Sequence, residues 1–80
     1  MKLNLLLFGA TRDIMGEASI AFEVPADTTV SQLLDQLHQR YPALKDLRSL
    51  LLAVNSAYGQ PEQVLGENDE IALIPPVSGG

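Results

Sequence analysis

The side chains of this sequence offer little that could carry out chemistry unaided. The single histidine, His38, has no cysteine anywhere in the 80 residues to serve as a second ligand or a nucleophile. The carboxylates Glu67, Asp69 and Glu70 lack the spacing of a calcium-binding loop, so we interpret them as a solvated turn. The glycine-rich phosphate-binding motifs are also missing from the sequence. We therefore expect neither a catalytic side chain nor a metal site here.

A different kind of chemistry is suggested by residues 71–80, which read IALIPPVSGG. The apolar half suits a β-strand, which Pro75 and Pro76 would end because neither can donate to a sheet ladder. A residue that precedes proline is held extended, so the chain should leave the strand stretched. Six extended residues span about 20 Å, which is enough to enter the active site of another protein. Gly79 and Gly80 carry no side chain that would obstruct a narrow channel.

The α-carboxylate of Gly80 is thus the group that we expect to react. An enzyme that adenylates it with ATP would make it an acyl donor, because AMP is a good leaving group. An amine would then give an amide, whereas a sulfur donor would give a thiocarboxylate, a sulfur nucleophile that is ionised at neutral pH. The alternative is an inert terminus, since small residues collect at disordered chain ends.

Hydrophobic periodicity predicts the elements that must position this segment. In chain order they are a strand at 2–8, a helical turn at 14–15, a strand at 18–24 and a helix from 29 to 41. A short turn at 44–47 and strands at 50–55, 57–58 and 70–74 follow. Thr29 and Gln32 have the spacing of a capping box at the start of the helix. Ala18 should face the core from the second strand, and Val64 and Leu65 should insert into the core from the last long loop.

A hairpin followed by a helix and further strands predicts an α+β fold, in which one main helix crosses one face of a mixed sheet. This is a β-grasp (ubiquitin-like) roll, with a domain at 1–74 and an extended flexible tail at 75–80. The other face of the sheet should be uncovered, leaving Phe8 and Ile74 exposed.

The charge and composition narrow the choice of partners. A net charge of −5 disfavours nucleic acid and suits a basic protein surface. No run approaches the roughly 20 apolar residues of a membrane span, and the start of the sequence is unlike a signal peptide. Together with the lack of cysteine, these features predict a cytoplasmic protein.

Four motifs resemble a known family. They are the ending at 74–80 (IPPVSGG), Ala53-Val54-Asn55, the segment 68–72 (NDEIA), and Phe8 followed by Arg12. On these motifs the sequence resembles the small subunits of molybdopterin synthase, which are ubiquitin-like sulfur carriers. Gly9 departs from the pattern, where alanine is usual, and Asn68 replaces a turn glycine.

The resemblance implies that Gly80 is adenylated by an E1-like adenylyltransferase and sulfurylase, which uses ATP, and then becomes a thiocarboxylate. The tail would insert into the large subunit of a heterotetrameric synthase and donate sulfur to cyclic pyranopterin monophosphate, forming the molybdopterin dithiolene. Active-site side chains would belong to the large subunit, and this chain would bind no cofactor. The implied tail residues are Pro75, Pro76, Val77, Ser78 and Gly79, and the implied interface residues are Phe8, Arg12, Tyr58 and Ile74.

Three alternatives remain open on the sequence. The same fold could serve thiamine synthesis or tRNA thiolation, it could be a protein modifier that forms isopeptide bonds, or it could be an interaction module with an inert tail.

Overall fold

The structure, a computed structural model, describes residues 1–46 and 50–75. Its elements are β1 (Lys2–Leu7), α1 (Ala10–Met15), β2 (Ser19–Glu23), α2 (Val30–Arg40), a 3₁₀ turn (Pro42–Asp46), β3 (Leu51–Val54), β4 (Ala57–Tyr58) and β5 (Ile71–Ile74). These match the predicted elements in order and type, and α1 is a full helix where only a short turn was predicted. Leu47, which was expected in the second turn, lies outside the described residues.

The five strands form one mixed sheet in the order β2-β1-β5-β3-β4. The two central strands, β1 and β5, are parallel, and the other neighbours are antiparallel. With α2 packed across one face, this is the β-grasp architecture predicted from the sequence.

The core lies between the sheet and α2. Leu5 of β1, Leu73 of β5 and Leu33 of α2 are all fully buried in one cluster. Burying a side chain of this size contributes about 1.5–3 kcal/mol. The predicted capping box starts the helix, since the Thr29 hydroxyl accepts from the Gln32 amide at 3.2 Å and the Gln32 side chain accepts from the Thr29 amide at 2.9 Å.

Two of the residues predicted to face the core do not. Val64 is 55% exposed, whereas its neighbour Leu65 is 3% exposed. The segment forms an antiparallel bridge between Thr29 and Val64, and neighbours in extended chain point to opposite sides, so one of the pair must face outward. Ala18 is also exposed, because β2 begins one residue later.

The helices of the described residues are short. Within 1–46 and 50–75, no helix has the length and apolar character needed to cross a membrane.

Candidate docking face and origin of the tail

An open groove of about 420 Å³ runs along the sheet face opposite α2. Its lining consists of Leu6, Phe8, Ala53, Ser56, Ala57, Tyr58, Glu70, Ala72 and Ile74. Most of these side chains are apolar, and soluble proteins rarely expose large contiguous apolar surfaces, so this face is a candidate interaction site.

The register of the sheet explains why a groove exists. Ala72 of β5 lies opposite Leu6 of β1 on one side and Ala53 of β3 on the other, and Ala53 lies opposite Tyr58 of β4. The two alanines therefore form a low floor in the middle of the face. Phe8 is 48% exposed and Tyr58 is 66% exposed, so the aromatic rings rise at the margins of that floor.

The structure brings together three of the four predicted interface residues. Phe8, Tyr58 and Ile74 all line the groove. Arg12 is exposed on α1 and is not part of the lining. Leu51, which lies opposite Ile74 and is 46% exposed, was not singled out from the sequence, although a β3 run that is apolar on both faces was the available signal.

Only the first tail residue belongs to the described part of the chain. Pro75 is half-buried directly after β5. The remaining predicted tail residues, Pro76, Val77, Ser78, Gly79 and Gly80, lie outside the described residues.

A buried threonine fixes the backbone of Phe8. The Thr11 hydroxyl donates to the Phe8 carbonyl at 2.6 Å and accepts from the Phe8 amide at 3.0 Å. Thr11 is fully buried, so these two hydrogen bonds are shielded from competing water. Sequence reasoning missed Thr11, although a threonine shortly after a strand often bonds to the local backbone in this way.

A second set of hydrogen bonds holds the opposite end of the groove. The Asn55 side chain donates to the Asp69 carboxylate at 2.9 Å and accepts from the Glu70 amide at 2.9 Å. The other Asp69 oxygen accepts from the Gly66 amide at 2.7 Å. These donors, the Asn55 side chain first and the Gly66 amide second, hold the pKa of Asp69 below its ordinary value of 3.8. The acidic turn is therefore tied to the β3–β4 hairpin and does more than face solvent.

Metal-binding side chains do not converge in the described part of the chain. Across residues 1–46 and 50–75, no three histidine, aspartate or glutamate side chains form a group that could hold a metal ion.

The sheet order, the helix that crosses one face and the exposed groove on the other face define a ubiquitin-like protein of the β-grasp fold. The ThiS family model matches residues 5–80, so the chain belongs to the ThiS family. The chain is 43% identical over 82 residues to a molybdopterin synthase sulfur carrier subunit of Mycobacterium tuberculosis, and the match covers 100% of this chain and 99% of that relative. The predicted resemblance to the small subunits of molybdopterin synthase is thereby confirmed, and the match supports a sulfur-carrier role.

Solved structures share the fold over the full chain. The small archaeal modifier protein SAMP1 from Haloferax volcanii matches with a TM-score of 0.83 at 27% identity, covering 100% of both chains. A chain in the complex of subunits 1 and 2 of the molybdopterin-converting factor from Helicobacter pylori matches with a TM-score of 0.70 at 27% identity, again covering 100% of both chains.

Proposed function

We propose that this chain is the sulfur carrier subunit of a molybdopterin synthase. The observation that carries the proposal is the full-length similarity to a named carrier subunit. In this chain Ile74 lines the groove and is the last residue of β5, directly before the tail. The described residues contain no competing metal cluster. The chemistry is therefore assigned to the end of the tail.

The reactive group in this proposal is the α-carboxylate of Gly80. An E1-like enzyme adenylates it with ATP, and a sulfur donor displaces AMP to leave a thiocarboxylate. The thiocarboxylate sulfur attacks cyclic pyranopterin monophosphate, and water then cleaves the resulting thioester, which leaves one sulfur on the substrate and returns Gly80 to a carboxylate. Two charged chains are therefore consumed for the two sulfur atoms of the dithiolene. This chain supplies the acyl carrier, while ATP and the substrate are bound by its partners in the cytoplasm.

The groove is the proposed docking face for the large subunit of the synthase. Subunits 1 and 2 form a complex in the Helicobacter pylori relative, which supports a partner of this kind. The heterotetramer is what the family resemblance implies. Phe8, Tyr58 and Ile74 would be covered on docking, with Arg12 at the edge of the contact. Residues 75–79 would then carry Gly80 into the active site of the large subunit.

The proposal is tested at Gly80 in a reconstituted reaction with the large subunit, the activating enzyme, ATP, a sulfur donor and cyclic pyranopterin monophosphate. Deleting Gly80, or adding one residue after it, should abolish molybdopterin formation because the activated carboxylate is lost or displaced. Intact mass should show the active chain heavier by the difference between one sulfur and one oxygen. Full activity of either variant would refute the carrier role.

A protein modifier is the second candidate, since SAMP1 shares the fold over the full chain. It predicts conjugates in which Gly80 is joined to lysine side chains of other proteins. Mass spectrometry after incubation with the activating enzyme separates the two, because a carrier accumulates as the free thiocarboxylate.

The docking face is tested separately by Ile74→Asp. Docking would desolvate the new carboxylate against an apolar surface, which costs several kcal/mol without a partner charge. Titration calorimetry against the large subunit should therefore show a loss of affinity. An unchanged affinity would remove Ile74 from the interface and leave the Gly80 chemistry untouched.

A further inference from the structure

The first tail residue, Pro75, is seated against the turn that follows β1. Strands β1 and β5 run parallel, with Leu7 opposite Leu73, so both strands end at the same edge of the sheet. A Cβ built on Gly9 would lie 3.1 Å from Cγ of Pro75. The proline ring therefore occupies the side of Gly9 where any other residue would carry its side chain.

We call this contact between the Pro75 ring and Gly9 the Pro75 seat, and Gly9 suits it for two reasons. Its φ of 53° and ψ of −128° form a conformation that residues with a Cβ rarely adopt. The absence of a Cβ also lets the ring of Pro75 approach, because 3.1 Å is shorter than the usual carbon–carbon contact of about 3.5–4.0 Å. Gly9 stands where alanine is usual in the family that the sequence resembles.

Thr11 holds the turn that contains Gly9 in place. Its buried hydroxyl bonds to both backbone polar groups of Phe8, the residue directly before Gly9. One turn thus places the Phe8 ring on the docking face and the Pro75 ring at the origin of the tail. The position of Pro75, where the tail begins, is thereby set relative to the surface that the partner would recognise.

We propose that Gly9 is a positioning residue for sulfur transfer, acting through Pro75 to set the direction in which the tail leaves the sheet. This inference rests on the proposed function. The tail reaches about 20 Å when extended, so a small rotation at Pro75 becomes a displacement of an ångström or more at Gly80. A misplacement of about 1 Å at a reacting atom can cost a factor on the order of 100 in rate.

The test compares Gly9→Ala with Gly16→Ala. Gly16 also has a positive φ, 73°, but a Cβ there would meet nothing within 4 Å. Both variants should lower the melting temperature, by roughly 4–8 °C for each kcal/mol of unfavourable backbone conformation, and Gly9→Ala should lower it more because its Cβ also meets the Pro75 ring. Only Gly9→Ala should slow single-turnover sulfur transfer from the thiocarboxylated chain, by about 10- to 100-fold, with little change in affinity for the large subunit.

Two outcomes of that comparison would overturn the positioning role. One is an equal transfer rate for the two alanine variants. The other is additive behaviour of Gly9→Ala and Pro75→Ala in a double-mutant cycle on the transfer rate, because residues that act through a shared contact are not additive. A strong coupling between them is the expected result.

A structural measurement separates this inference from the proposed function. Protons of Gly9 and of the Pro75 ring should give a nuclear Overhauser effect in the unaltered chain and lose it in Gly9→Ala. Its absence from the unaltered chain would overturn the seat, whatever the chain does chemically. If the seat is observed but the thiocarboxylated chain transfers no sulfur, the proposed function fails, and the role of Gly9 in transfer fails with it.

Discussion

Ala72→Leu should block the docking groove without disturbing the fold. Ala72 lies between Leu6 and Ala53 in the middle of the open face, and it lines the groove. Leucine adds three carbon atoms above the floor, on the side of the sheet away from the core. The core side of β5, which carries the fully buried Leu73, is left as it is.

The expected loss of affinity follows from the contact that the added leucine prevents. A partner side chain that rests on the alanine floor gains about 1.5–3 kcal/mol from full burial of a group the size of leucine. Losing that burial raises the Kd by roughly 10- to 150-fold. The free energy of unfolding should change by less than about 0.5 kcal/mol, as is usual for surface substitutions.

The assay is titration calorimetry with the large subunit, and the control is Ala21→Leu. Ala21 is exposed on β2, opposite Asn4 on the same open face, but it is not part of the groove. Ala21→Leu should leave the Kd for the large subunit unchanged. An unchanged Kd for both leucine variants would refute the assignment of the groove as the docking face, whereas an equal rise of the Kd for both would indicate a contact that covers the whole sheet.

Three further predictions concern stability. Ser56 lies in the β3–β4 turn at a φ of 70°, so Ser56→Gly should raise the free energy of unfolding by about 0.5–1 kcal/mol. Urea denaturation measures this free energy, and a lower value for the variant would contradict the turn geometry. The folded-state pKa of Asp69 is below 3.8, so its contribution is complete above that pH and is lost as the pH falls through the folded value. Asp69→Asn should show a shallower acid decline of stability than the unaltered chain, and identical pH curves would exclude the effect. Leu37→Ala should cost about 2–5 kcal/mol because Leu37 is fully buried, and Leu51→Ala, at a side chain 46% exposed, should cost much less by the same measurement.

Strong local signals allowed most of the fold to be predicted from the sequence. The capping box of Thr29 and Gln32 depends only on residues three positions apart, and it is confirmed. The error at Val64 has a different origin. Two adjacent apolar residues in a loop do not reveal which one faces the core. The bridge between Val64 and Thr29 determines it, and Thr29 is 35 positions away in the sequence.

Three residues of the candidate docking face could be named from the sequence, but the shape of the groove could not. Phe8, Tyr58 and Ile74 could be placed on one surface from the family resemblance. The groove itself depends on alanines from β3 and β5 lying side by side, which requires the register of strands that are distant in sequence. The seat of Pro75 on Gly9 likewise joins residues near the two ends of the chain, and no local pattern indicates such a contact.

The place of β5 between β1 and β3 has a consequence for quality control during synthesis. Before residues 71–74 are made, the β1–β2 and β3–β4 hairpins have no strand to join them, and isolated hairpins are only marginally stable in water. The groove spans both hairpins and β5, so a prematurely terminated chain has no surface on which a partner could dock. Only a chain that has been translated through β5 should therefore compete for the partner, so chains that stop before residue 71 are not expected to occupy the assembly.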